Sequence, residues 1–477
     1  MKAFFLDQDA WIPAVMVDGS YKELSLVQAF EGAEGVRRLV GTPPCVAATM
    51  RFLLAIAHLT RTPSKLEEWA SLYRDRRGFL ADCAQYVRQR REHWNLFDPD
   101  RPFGQVPGLE GTVNPAHLML YEAARKNNPV LTDHSLETSP RPIPPARIPA
   151  AMLAMQAFGG SSGGGYTMGP LAMRTVAFLE GENLAETLLL NLLVFEPPEE
   201  FDWGQYGRKA RERVKVRNPV DLYLWTSRQV SLVVSECGDV RQVRLAPGNT
   251  LPQDLIGLDP MVVQTVTEKN KKKEKVPLRL QAEVALWRNA HVLLGSVSEV
   301  RLKAVDQLSR SVGREFIDDR LVRLRVCALA GDAQGPRTEL WRDERIEFEP
   351  ELLQEENSKR LQEVEQAVQD AEEVASRTRK RLAGFASRYL AADQAARVEP
   401  SDVRALVEEI APNLMDYWGA IAPKGERLPM TCLEEDPEWR EKWARTLREA
   451  SLAAFEKAME RLPPSARRLR AQFGGKQ

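Results

Sequence analysis

FGGSSGGGYTMGP, residues 158–170, lies between two runs that read as packed elements. Eight of its thirteen residues are Gly or Ser, and Gly163, Gly164 and Gly165 are consecutive. Glycine lacks a Cβ, so such a run reaches positive φ and lets another backbone approach, at a cost in conformational entropy. In front, PPARIPAAMLAMQA (144–157) reads as a helix; behind, LAMRTVAF (171–178) reads as extended and NLAETLLLNLLVF (183–195) as a strongly apolar helix. Three readings of the loop follow. A Gly run can be a flexible surface loop or tight crossing. A nucleotide-phosphate loop needs strand, glycine turn and helix in that order, with Lys-Ser or Lys-Thr following; here the order is helix, loop, strand, without a Lys. The third reading is a backbone-only surface laid against another polymer, such as a DNA groove. The loop alone leaves the first and third open.

Toward the N-terminus, residues 3–26 alternate like strands around a turn at Asp18-Gly19-Ser20. Thr42-Pro43-Pro44 starts a helix through VAATMRFLLAIAHL that is apolar nearly all round, the pattern of a buried central helix. Asn114 with Pro115 signals a helix over NPAHLMLYEAARK (114–126). NNPVLTDHSLETSPRPIPPAR (127–147) holds five prolines, a long irregular loop of the kind that often carries function. Toward the C-terminus, 219–281 reads mainly as strands, with EKNKKKEK (268–275) as a hairpin tip. DDRLVRLRVCALAG and ELWRDERIEF flank GDAQGPR (331–337) as a hairpin with a protruding tip. At Glu349-Pro350 the character changes to amphipathic helices: one through 361–389, one over 402–420, one from Asp436-Pro437-Glu438 and a short one after Pro463-Pro464. The expected class is α+β, with a large mixed N-terminal domain rich in irregular loops (1–348) and a C-terminal four-helix bundle (349–477).

Lys and Arg total 66 against 67 Asp and Glu, so nucleic-acid binding would rest on local patches. No apolar run approaches the ~20 residues that span a bilayer; Val46 to Leu59 is broken by Arg51, and Asp7 and Asp9 come too early for a signal peptide. A cytoplasmic protein without membrane contact is expected. Cys45, Cys83, Cys237, Cys327 and Cys432 are single, and the five histidines lack metal-ligand spacing. No metal site, cofactor or catalytic constellation is predicted.

The ordered set DAWIPAV (9–15), DRPFGQV (100–106), NNPVLTDH (127–134), FGGSSGGG (158–165), FLEGENLAETLLLNLL (178–193) and GDAQGPRTELWRDER (331–345), closed by C-terminal helices, resembles the CasA family over essentially the whole chain. CasA proteins are the large subunits of the type I-E CRISPR surveillance complex, Cascade. The resemblance implies recognition of the protospacer-adjacent motif in double-stranded DNA, largely from the minor groove. It also implies duplex opening for guide-RNA pairing and help in recruiting an effector helicase-nuclease, without catalysis by the subunit. The implied partners are the guide-RNA ribonucleoprotein with its backbone and small subunits, target DNA and the helicase-nuclease. The family's glycine loop falls on Gly159, Gly160, Ser161, Gly163, Gly164 and Gly165. Its wedge falls on Ala333, Gln334 and Gly335, and its guide and backbone-subunit loop on Asn128, Pro129, Val130, Leu131 and Thr132. Its minor-groove lysine belongs in 240–251, which holds Arg241 and Arg244 but no Lys, so Arg244 takes that place. The cysteine pairs with which some members hold zinc are missing. Minor-groove readout separates A·T from G·C more than each pair from the others, so a tolerant set of motifs is expected. Two alternatives stand beside this reading: a nucleotide-phosphate-binding enzyme using the glycine loop, and a helical scaffold without nucleic acid.

Overall fold

Pro43 and Pro44 open the helix Pro43–Thr60, where a missing N–H costs nothing. Every residue from Val46 to His58 is buried. Among the described residues this is the one helix long and apolar enough to cross a bilayer, yet 83% of it is inside the fold. Phe52 on it meets the rings of Trp11, Trp94, Phe103 and Trp203 at 5.6–6.5 Å. Arg51, 1% exposed, pairs with Asp259 and donates to the Leu222 carbonyl at 2.5 Å.

The computed structural model describes residues 3–123, 141–160, 165–208, 216–235, 238–252, 255, 259–269, 272–281, 283–295, 300–312, 316–317, 321–331, 338–354, 357–393, 398–432 and 436–462. The chain divides into two compact units, Met1–Ala282 with Val292–Arg345, and Glu283–His291 with Ile346–Gln477. The strands are β1 (Ile12–Met16), β2 (Tyr21–Leu24), β3 (Val36–Leu39), β4 (Thr112–Pro115), β5 (Thr175–Glu180), β6 (Arg228–Val234), β7 (Val240–Pro247), β8 (Gln264–Lys269), β9 (Lys272–Pro277), β10 (Val322–Gly331) and β11 (Thr338–Phe348). They form small sheets in the orders β2-β1-β3, β4-β7-β6 and β11-β10-β5, with β8-β9 as a separate ribbon. The pairings in register are antiparallel. Several small sheets with helices make this an α+β fold, the expected class.

Three expectations need correction. Residues 114–126 do not start a helix: Thr112–Pro115 is β4, followed by a 3-10 turn at Ala116–Met119. Thr112 and Asn114 pair with Leu245 and Val243 of β7, and this long-range ladder outweighs the local capping signal. Pro115 is tolerated because β4 is an edge strand. The apolar helix after β5 ends early, at Leu190. The buried Asn191 side chain accepts from the Leu179 N–H at 3.0 Å and donates to the Leu179 and Thr187 carbonyls at 2.7 Å, binding the chain back to β5. The helix read over 402–420 is two, Pro400–Ile410 and Met415–Gly425. Pro412 supplies no N–H, and Asn413 and Leu414 take positive φ of 46° and 53° between them.

Most of the quoted motifs hold the fold. Gln105 of DRPFGQV donates to the Leu96 carbonyl at 2.8 Å and accepts from the Leu232 N–H at 3.0 Å, fastening that loop to β6. Glu180 of FLEGEN is buried with Arg325, whose guanidinium grips Asp343 at 2.7 and 2.8 Å and donates to the Leu39 carbonyl at 2.9 Å. Arg345 reaches Glu180 at 2.6 Å. The network ties the base of the β10–β11 hairpin to β5 and β3. Burial would raise the Asp343 pKa, but the hydrogen bond and charge of Arg325, with Arg345, hold it below the usual carboxylate value. A depressed pKa means stabilisation present above the unfolded value and lost as pH falls through the folded one. Asp343→Asn is expected to cost about 1–3 kcal/mol at neutral pH. In paired thermal melts the gap to wild type should begin to narrow below about pH 4, where the unfolded carboxyl protonates, and close only below the depressed folded value. A gap that stays constant down to pH 3 would show that the charge is not what matters.

The second unit contains the long helix Ser358–Asp393 with Pro400–Ile410, Met415–Gly425, the short Leu428–Thr431 and Trp439–Arg461. The short helix expected after Pro464 lies outside the described residues. Tyr417 and Trp443 donate to the Ala371 and Ala367 carbonyls of the long helix at 2.8 and 3.0 Å. The segment 283–291, which the sequence reading left with the N-terminal part, belongs here. Its Trp287 packs on Trp418 and Trp443 at 6.1 and 6.3 Å, and a Cβ on Gly425 would lie 2.6 Å from the Trp287 ring. Arg288 stacks on Trp418 at 3.7 Å and pairs with Glu372.

Candidate nucleic-acid interface

The helix Ile148–Phe158 is buried at all eleven positions and ends at Gly159, where the glycine loop leaves. Two backbone bonds close the loop's neck: the Gly169 N–H donates to the Gly159 carbonyl and the Leu171 N–H to the Ala157 carbonyl, both at 2.8 Å. Gly169 is required there, since a Cβ would stand 2.4 Å from the Ala157 carbonyl oxygen. Gly160 is exposed, with open space where a Cβ would go, and Gly165 is exposed with φ +85°. Gly160 and Gly165 are thus exposed on either side of 161–164, beyond a neck closed by backbone bonds. Ser161, Gly163 and Gly164 lie outside the described residues.

Residues that the sequence reading did not single out make the neck rigid. Gln156, the polar exception on an otherwise apolar helix, accepts from the Arg228 N–H and donates to the Arg228 carbonyl, both at 2.8 Å. The Ser227 hydroxyl donates to the Gln156 carbonyl at 2.7 Å. The Arg228 side chain donates to the Thr167 carbonyl at 2.7 Å, to the Ser227 carbonyl at 2.8 Å and to the Gly160 carbonyl. Burial draws its pKa below the ordinary arginine value, opposed by Tyr121 and Tyr166. Tyr166 donates to the Leu245 carbonyl at 3.0 Å and Thr167 to the Asn249 carbonyl at 3.3 Å. A lone amide in an apolar helix was a usable signal, because buried polar groups are hydrogen-bonded. Nothing local marked Arg228.

The loop's exit is therefore anchored to the end of β7, one residue beyond Arg244. Arg244 is exposed and lies in register with Val113 of β4 and Ser231 of β6. Thr175, at the start of β5, accepts from Val263 at 3.0 Å and donates to the Leu278 carbonyl at 3.1 Å. This fixes the base of the β8–β9 ribbon just after the loop; Lys273 and Lys275 are exposed on it. The loop's exit is thus bonded to the arginine-bearing strand, and the strand that follows it to the base of the lysine-bearing ribbon. The wedge residues Ala333, Gln334 and Gly335 and the loop residues Asn128, Pro129, Val130, Leu131 and Thr132 lie outside the described residues. β10 ends at Gly331 and β11 begins at Thr338, on either side of the segment expected to be the wedge.

The family model for CRISPR-associated protein Cse1 matches residues 6–454. The chain belongs to the CRISPR-associated Cse1 family. A CasA/Cse1 protein of Thermus thermophilus is 29% identical over 357 residues, 70% of this chain and 68% of that one. Crystal structures of Thermus thermophilus CasA and Thermobifida fusca Cse1 share the fold. The first has a TM-score of 0.77 at 24% identity, covering 99% of this chain and 98% of that one. The second has 0.72 at 22%, covering 98% and 97%. A chain of a CRISPR RNA-guided surveillance complex matches with TM-score 0.73 at 18% identity, covering 99% of each. The Cse1 family membership agrees with the resemblance carried by the motifs.

Among the described residues, no group of three or more His, Cys, Asp or Glu side chains is placed to hold a metal. Burial pushes the thiol pKa up to about 11 at Cys45 and to about 12 at Cys83, Cys327 and Cys432. These four stay protonated thiols at neutral pH. His58 is pulled down to about 3 by burial and sits 3.2 Å from the Thr62 hydroxyl, a neutral core side chain.

Proposed function

We propose that this chain is the large subunit of a CRISPR RNA-guided surveillance complex, that it recognises the protospacer-adjacent motif in duplex DNA, and that it helps open the duplex and recruit a helicase-nuclease. Membership of the Cse1 family and the likeness to a chain of such a complex support the first part. The observation that carries DNA recognition is the closed neck with Gly160 and Gly165 exposed beyond it, its exit bonded to the strand that bears the exposed Arg244 and followed by the strand that holds the base of the lysine ribbon. Glycines suit a groove because side chains would hold the backbone away from sugars and base edges. The cations alongside suit the phosphates that dominate affinity. The subunit works by binding, without chemistry of its own.

The phosphate-loop reading loses to the same geometry. The helix before the loop presents its C-terminal, carbonyl end, whereas phosphates are held at helix N-termini.

Gln334 is the residue proposed to open the duplex; it lies in the chain between β10 and β11. Unstacking the first base step costs about 0.6–2.2 kcal/mol, while later guide pairing nearly balances strand exchange, so nucleation is where a small wedge counts. Gln334→Ala in the assembled complex is expected to slow association with a fully paired target. It should leave association unchanged on a target already mismatched beside the motif. Equal defects on both would assign Gln334 to anchoring, and no defect on either would leave it a turn residue.

A further inference from the structure

The Arg228 side chain is 6% exposed and, among the described residues, no carboxylate pairs with it. A buried cation without a counter-ion is expensive, and proteins keep few of them. This guanidinium is spent on main-chain oxygens from both limbs of one loop: Gly160 on the way out, Thr167 on the way back, and Ser227 at its own root. Its plane lies 5.0 Å from the Tyr166 ring, on the returning limb. Its backbone is held on both sides by the Gln156 amide. It also stands at the C-terminus of Ile148–Phe158, where a positive charge complements the helix dipole.

We propose that Arg228 is the positioning residue of the glycine loop, the strut that ties Gly160 on the outgoing limb to Thr167 on the returning one and so holds the loop's two ends together. This rests on the reading of the loop as the DNA-contacting element. A planar fork with five donors in fixed directions can bridge two carbonyls that a single ammonium cannot. The choice of Arg is thereby explained. The cost of burying the charge is met by the carbonyls it gathers and by the helix end below it. Holding the loop ready before DNA arrives removes an ordering cost that binding would otherwise bear.

The test uses Arg228→Met and Arg228→Lys in the full chain, alone and assembled with guide RNA and the other subunits. Amide hydrogen exchange at the Gly169 and Leu171 N–H groups, which are bonded across the neck of the loop, should quicken at least tenfold in both variants of the free chain. Exchange in the helix Pro43–Thr60 should stay as in wild type. Affinity of the assembled complex for motif-bearing duplex should fall at least tenfold, with the slope of log K against log salt unchanged, because Arg228 itself touches no phosphate. A slope shallower by about one would make Arg228 a phosphate contact and overturn the positioning role. Unchanged exchange at the neck, or full activity of Arg228→Lys, would also overturn it. Quickened exchange with undiminished affinity would uphold the strut but sink the reading of the loop as a DNA contact. Should Arg228→Met not fold, Arg228→Lys alone carries both measurements.

Discussion

Arg51→Met is expected to destabilise the first unit by about 3–5 kcal/mol, enough to remove a large part of the stability of an ordinary domain. Arg51 and Asp259 are 1% and 2% exposed, and the pair sits within the core built on Pro43–Thr60. The methionine keeps most of the apolar stem but removes the guanidinium from the buried Asp259 carboxylate, which among the described residues keeps the Met261 N–H at 3.0 Å and the charge of nearby Arg174. The Leu222 carbonyl loses the Arg51 donor and keeps the longer bond from the Trp225 N–H at 3.3 Å, and the Tyr223 ring loses a cation 5.0 Å from its centre. The second change, Asp259→Leu, made together with Arg51→Met, should recover most of the loss, because two apolar side chains remove both desolvation costs at once. Urea unfolding of wild type, single and double variants measures this as a cycle. A single-variant loss under about 1 kcal/mol would mean that water reaches Asp259, and a double variant as weak as the single would mean that the pair is needed for the packing around it.

Gly160→Asp is expected to abolish most duplex binding by the assembled complex without loosening the fold. A Cβ at Gly160 meets nothing within 4 Å, so the carboxylate finds room. Placed a few ångströms from phosphates, one like charge costs about 1–4 kcal/mol between bulk-water and protein-surface screening, or about fivefold to several hundredfold in affinity. Gly169→Ala is the contrasting change. Its Cβ would press on the Ala157 and Gln156 carbonyl oxygens at 2.4 and 2.6 Å, so the neck must open. That variant should lose binding and also melt earlier. Equilibrium binding at two salt concentrations, with a melting curve for each variant, separates the two. If Gly160→Asp binds like wild type, the loop faces solvent in the complex and DNA recognition must be sought elsewhere.

The glycine loop was legible because a run of residues without Cβ atoms is conspicuous wherever it stands, and so was Pro43–Thr60 because its apolar residues close the whole circle. Arg228 was not legible: TSRQVS carries no periodicity that says an arginine folds inward to join two limbs some sixty residues away. Asp259 was hidden for the same reason, as its partner is 208 positions earlier. The Asn114-Pro115 signal was real as local chemistry, but β7 offered more hydrogen bonds than a first helical turn. Asn191 lies inside the run read as an apolar helix and ends it, because the oxygen and nitrogen of its amide are taken up by β5 and the preceding turn. The failures share a cause: pairings across the chain decided what spacing along the chain left open.

Trp287 has a consequence for how the protein is made. It leaves the ribosome with its own neighbours, yet Trp418 and Trp443, the rings it packs on, are translated up to about 150 residues later, roughly 8–30 seconds at about 5–20 residues per second. During that interval residues 292–345 must complete the first unit while an indole destined for the second stays exposed. The two units are therefore not contiguous along the chain, and the second takes in a segment made before the first is finished. A ribosome stalled near position 400 holds a chain whose first unit is entirely synthesised and whose Trp287 still lacks both rings.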